Sequence, residues 1–135
     1  MSEDDIAALE ETIGRRIPEP YRAFLSRHGA GRPSKNVHPP VDSELPALCD
    51  GFEVDSFLGP ASRESLPAAL KQLNESNVPE DLFPVIELVG GDLLCLDGSD
   101  AENKLIYWDH EESDPGAAAI PLGETLEQLL ERLHD

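Results

Sequence analysis

The stretch Leu9–Gly29, LEETIGRRIPEPYRAFLSRHG, decides the fold of this chain. It predicts two short amphipathic helices joined by a proline-containing link. In the first helix Ile6, Leu9 and Ile13 are three and four residues apart, so they share one helical face. The second helix repeats the apolar stripe with Tyr21, Phe24, Leu25 and His28. The chain therefore opens with a compact helical hairpin.

The ends of these helices carry their own signals. Ser2 and Asp5 are three positions apart and predict a cap at the start of the first helix, and Gly14 predicts a left-handed stop. Pro18 and Pro20 fit an extended link or a first helical turn, because proline fixes φ and has no N–H to donate. The link between the two helices is therefore short and stiff.

Apolar runs separated by turn residues predict strands further along the chain. The predicted strands are Phe52–Leu58, Phe83–Val89, Leu93–Leu96 and Leu105–Trp108, with a possible edge strand in Ala117–Pro121. In the first of these, Phe52, Val54 and Leu58 are predicted to share one face. The residues Gly90–Asp92 predict a hairpin turn.

Two further helices are predicted. One begins near residue 65 and runs to Asn77, and the other carries the stripe Leu126, Leu129, Leu130 and Leu133. Consecutive strands with short connections predict an antiparallel sheet of about four to six strands, with the helices packed against it. The fold class is therefore α+β, and 135 residues suit one domain that spans 1–135.

The segment Ala30–Asp50 is rich in proline, glycine and small polar residues and has no helical or strand period. Loops of this length without internal structure are uncommon in compact domains and are either binding loops or mobile ones. Both interpretations stay open.

The net charge of −18, from 28 acidic and 10 basic residues, is unevenly distributed. Residues 1–36 hold six bases and six acids, whereas the remainder holds four bases and 22 acids. Such a surface repels phosphate groups, so direct binding to nucleic acid or to an anionic membrane is not expected. It would attract a basic protein, although acidity can also serve solubility alone.

One acidic group stands out. Seven acids and a single base, Lys104, lie between residues 97 and 114, and the two turns that carry the acids are expected at one end of the sheet. With Trp108 as a candidate anchor, the predicted partner-binding set is Asp97, Asp100, Glu102, Trp108, Asp109, Glu111, Glu112 and Asp114. An exposed tryptophan would be a natural interface anchor. For Trp108 the alternative is packing in the core.

Catalytic and metal-binding patterns are missing from the sequence. Asp109, His110 and Glu111 are consecutive, so an extended chain would point their side chains alternately apart. No His-Glu-x-x-His or EF-hand pattern occurs, and no Gly-x-Ser-x-Gly elbow. Cys95 lies in an apolar run with no neighbouring positive charge to stabilise a thiolate. We therefore predict no catalytic residue, no metal and no cofactor.

Two separated segments resemble the SMI1/KNR4 (SUKH) superfamily. The first is Leu9–Gly29, which is similar to a helix ending in Leu-Gly, then Leu-Pro, an aromatic residue, a Phe-Leu pair and a glycine-rich exit. The second consists of Phe83–Ile86, Gly91–Asp97 and Ile106–Glu111, and the final leucine-rich helix looks like the closing helix of the family. The chain departs from the pattern at His28–Gly31, where the family often has Asn-Gly-Gly, and in the loop Ala30–Asp50, which has no counterpart.

The resemblance implies an α+β fold of antiparallel strands with flanking helices. For bacterial members it implies immunity proteins that bind and neutralise toxins, often nucleases, whereas fungal members act as regulatory scaffolds. Neither branch is known for catalysis. The expected function is therefore an immunity protein that binds a basic toxin domain, with an intracellular scaffold as the alternative. The acidic first residues, unlike a secretory signal, favour the cytoplasm.

Overall fold

The computed structural model describes residues 2–29, 37–38, 52–59, 66–75, 82–89, 91–98, 101–109, 119–122 and 124–133. Helix α1 is Glu3–Ile13, α2 is Glu19–His28, α3 is Leu66–Glu75 and α4 is Leu126–Arg132. Strand β1 is Val37–His38, β2 is Phe52–Phe57, β3 is Leu82–Leu88, β4 is Leu93–Asp97, β5 is Leu105–Trp108 and β6 is Ala119–Pro121. The α+β class is confirmed.

The caps of α1 are those that the sequence predicts. The Ser2 hydroxyl accepts from the Asp5 N–H at 3.2 Å, and the Ser2 N–H donates to the Asp5 carboxylate at 3.3 Å, which completes a capping box. Gly14 closes the helix at φ 73°, a left-handed conformation that costs glycine little because it has no Cβ. Its N–H donates to the Glu10 carbonyl at 2.9 Å.

A carboxylate ties the link between α1 and α2 in place. Glu10 accepts from the Ile17 N–H at 2.8 Å and from the Arg22 guanidinium at 3.3 Å. Arg22 also contacts Glu3 at 3.2 Å. Because an unpaired buried N–H is costly, the bond to Ile17 stabilises the extended link that ends at Pro18, the residue before α2. The helical hairpin is thus closed by side chains from both helices.

The sheet is an antiparallel meander in the order β1-β2-β3-β4-β5-β6. Five strands, β2 to β6, form the continuous part, and the two-residue β1 extends it by pairing Val37 with Glu53 and His38 with Phe52. The prediction that no strand lies in Ala30–Asp50 is therefore wrong for these two positions. Two residues are too short a run to produce an alternating pattern. The rest of that segment lies outside the described residues.

A bulge changes the faces of β2. The register shifts between Val54 and Ser56, which pair with Leu88 and Glu87. One extra residue reverses the alternation that follows it. Leu58 therefore does not share a face with Val54, contrary to the prediction, and Ser56, Phe57 and Leu58 are all buried. The Phe52 side chain lies outside the described part of the molecule.

The core lies on both sides of the central strands. Residues 82–86, 93–96 and 105–108 are buried without a break, and successive residues of a strand point to opposite faces. Helix α2 covers one part of the sheet, where the Phe24 ring lies 4.4 Å from the Phe57 ring at a tilt of 35° and the Tyr21 hydroxyl donates to the Leu58 carbonyl. Helix α3 packs against β3 and α1.

Hydrogen bonds through Glu124 connect the C-terminal helix to β5. Leu105 donates its N–H to the Glu124 carbonyl at 2.8 Å, and Arg132 pairs with the buried Glu124 carboxylate at 2.9 Å. Thr125 and Gln128 form a capping box at the start of this helix, in which the side chain of each accepts from the backbone N–H of the other. Within the residues that the structure describes, no helix is long and apolar enough to cross a membrane.

Candidate partner-binding surface

The structure describes half of the predicted partner-binding set. Asp97, Glu102, Trp108 and Asp109 are described, whereas Asp100, Glu111, Glu112 and Asp114 lie outside the described residues. The four described positions establish how the turns on either side of β5 are placed relative to each other.

The register of β4 and β5 separates the acids into two groups. Leu93 pairs with Trp108 and Leu96 pairs with Leu105, so Asp109 follows one end of this pair of strands and Asp97 lies at the other. Five strand steps at 3.4 Å separate these levels by about 17 Å. The prediction that both turns lie at one end of the sheet is wrong. In a meander, successive connections alternate between the two ends.

We call the group formed by Glu53, Val89, Asp92 and Asp109, which lies at one end of strands β2 to β5, the Val89 end. The Val89 N–H donates to the Glu53 carbonyl at 2.9 Å, and the Leu88 N–H donates to the Asp92 carbonyl at 2.8 Å. The register that pairs Leu93 with Trp108 makes Asp92 the neighbour of Asp109. Asp92 and Asp109 are level with Leu88, whereas Glu53 and Val89 lie one residue further along, with their side chains directed to the opposite face.

Hydrogen bonds fix the geometry of the β3–β4 turn and of Asp92. Gly91 has φ 101°, which favours glycine, and its N–H donates to the Leu88 carbonyl at 3.0 Å. The Tyr107 hydroxyl donates to the Asp92 carboxylate. Burial raises the pKa of Tyr107 above its usual value, and the hydrogen bond to Asp92 and the negative charges of Asp92 and Asp109 raise it further. Tyr107 therefore stays protonated and keeps donating at neutral pH.

We call the opposite group, Asp97, Glu102, Asn103 and Lys104, the Asp97 end. The Asp97 N–H donates to the Lys104 carbonyl, and the Asn103 amide donates to the Asp97 carbonyl, both at 3.0 Å. Asn103 has φ 53°, a left-handed conformation that asparagine tolerates better than most residues. Glu102 is exposed, and Lys104 is half-buried in the same turn.

A second cation lies near the Asp97 end. The Arg15 guanidinium lies 5.0 Å from the centre of the Phe83 ring. Phe83 pairs with Leu96, the residue before Asp97. A cation over an aromatic face is attracted by the negative face of the ring. Because successive strand residues point to opposite faces, Arg15 lies on the face opposite to the Asp97 side chain, whereas Lys104 is bonded to Asp97 through the backbone.

Trp108 lies in the core. It is 2% exposed, in agreement with the packing alternative. Among the described residues its indole N–H has no hydrogen-bond partner. A contact between Trp108 and a partner stays a prediction, and it would require the side chain to become accessible.

Comparison with known proteins identifies the family. The model of the SMI1/KNR4 family (SUKH-1) matches residues 1–132. The chain belongs to the SMI1/KNR4 family. A protein of Bacillus subtilis (strain 168), the SPbeta prophage-derived uncharacterized protein YokK, is 24% identical over an alignment 145 residues long that covers 98% of this chain and 74% of that protein. The family expected from the helical hairpin and the strand segments is confirmed.

Cys95, the candidate nucleophile in the sequence of this SUKH-1 chain, is buried. Cys95 is fully buried in β4, and burial raises the pKa of its thiol above the usual value, so the unreactive thiol form dominates at neutral pH. Within the described ranges, no three His, Cys, Asp or Glu side chains converge as a metal site. His110 and Glu111 lie outside those ranges.

The SMI1/KNR4 helical hairpin carries an open polar groove of about 400 Å³ that the sequence does not reveal. Its lining is Glu3, Glu19, Arg22, Ala23, Ser26 and Arg27. Arg22 is already held by Glu3 and Glu10. Two arginines and two glutamates give the groove no preference for one sign of charge, so the lining does not select a ligand.

Proposed function

We propose that this chain is a non-catalytic immunity-type protein that acts in the cytoplasm, where it binds and neutralises a basic toxin domain. The observation that carries the proposal is the excess of 22 acids over four bases after residue 36. Membership of the SMI1/KNR4 family supports it, because the resemblance implies immunity proteins among the bacterial members. The similar Bacillus protein is prophage-derived, and nothing in its name assigns a partner.

Electrostatics explains why acidity suits this role. A nuclease that holds phosphates needs a basic surface, and a matching acidic surface attracts it over distances near the Debye length. Complementary charges accelerate association to about 10⁸–10⁹ M⁻¹ s⁻¹ at low salt. Fast capture matters for an inhibitor, because a free toxin acts before it is bound. The charges need no catalytic geometry, only the correct sign on an accessible surface.

The proposal is tested by co-expression with the toxin encoded beside this chain. Cells that produce the toxin alone should stop growing, and cells that produce both proteins should grow. An unrelated acidic protein of similar charge is the control for a nonspecific effect. Equal death with and without this chain would overturn the immunity function. Recovery of signalling or wall-synthesis proteins, and of no toxin, in a pull-down from its own cells would support the scaffold alternative instead.

A further inference from the structure

We draw no further inference here: the strongest candidate, the pair of buried side chains Ser56 and Trp108 on the sheet face opposite α2, whose polar atoms have no hydrogen-bond partner among the described residues, carries no site, because the register of β2 to β5 places the two residues three strands apart, about 14 Å, and nothing in the described part of the chain shows what covers that face.

Discussion

The two ends of the β4–β5 pair contain similar residues in different surroundings. At the Val89 end Asp92 and Asp109 are neighbours on paired strands, and Glu53 and the exposed Val89 lie one residue further along, all on hydrogen-bonded backbone. At the Asp97 end Asp97 and Glu102 share the surface with Lys104, and Arg15 stacks on Phe83 nearby. The comparison teaches that a count of acids along the sequence does not locate an acidic surface. The pairing of the strands decides which charges add and which are offset.

The largest expected difference between the ends is in the rate of association with a basic partner. The double variant Glu53→Gln, Asp109→Asn removes two charges from the Val89 end, and Asp97→Asn, Glu102→Gln removes two from the Asp97 end. At low salt we expect the first to slow association about tenfold and the second by less than about twofold, since local charge steers encounter. Stopped-flow fluorescence measures both. Equal slowing would remove the distinction between the ends.

The next effect is on stability at the Val89 end. Tyr107→Phe removes the hydroxyl that donates to the Asp92 carboxylate. A hydrogen bond to a charged group contributes about 1.5–3 kcal/mol, so we expect the free energy of unfolding to fall by about 2 kcal/mol. Urea denaturation followed by circular dichroism measures it. Asp92→Asn, which keeps an acceptor for Tyr107, should cost less. A loss below about 0.5 kcal/mol for Tyr107→Phe would contradict a rigid Val89 end.

A smaller effect is expected at the Asp97 end. Asn103→Ala loses the hydrogen bond to the Asp97 carbonyl. Alanine must also adopt the left-handed backbone at φ 53° without a side-chain hydrogen bond that offsets its cost. The loss should be about 1 kcal/mol, since left-handed backbone costs non-glycine residues about 1–2 kcal/mol and asparagine already bears part of it. Urea midpoints compare it with Asn103→Gly, which relieves the backbone and should lose less. The reverse order would show that the side-chain bond, and not the backbone, holds the turn.

The smallest effect concerns pH. The pKa of Tyr107 is raised in the folded state, by burial first and then by Asp92 and Asp109. Its contribution to stability is fully present below the unfolded pKa of about 10 and is lost as the pH rises through the folded value. We expect no change in its contribution between pH 6 and 9 and a decline above pH 10. Tyr107→Phe should reduce this decline, measured by urea denaturation across that range. If stability declines equally in both proteins, the decline is due to Tyr21, because burial also raises the pKa of that side chain.

The sequence was sufficient to predict most of the fold because local signals were strong. Ser2, Asp5 and Gly14 mark the ends of α1, and Leu105–Trp108 is a strand with the predicted bounds. Two features of the sheet are not predicted from the sequence, and each has a physical reason. The strand Val37–His38 is too short to show a period, and the bulge after Val54 has no residue signature that separates it from regular alternation.

The candidate surface was harder to predict than the fold. The density of acids around Asp109 marks it in the sequence, whereas Val89 and Glu53 are each unremarkable within their own strands. Val89 and Glu53 become neighbours only through the pairing of β2 with β3. The separation of Asp97 from Asp109 could have been found from the sequence, since three consecutive antiparallel strands place their two connections at opposite ends.

The most direct test of the account is a map of the interface in solution. The chain, labelled with ¹⁵N, is titrated with the inactive protein encoded beside it, and backbone amide shifts are followed by NMR. The account predicts changes that saturate at low salt and that weaken as sodium chloride is added, because the binding is electrostatic. No saturating change, or binding that is indifferent to salt, would contradict it.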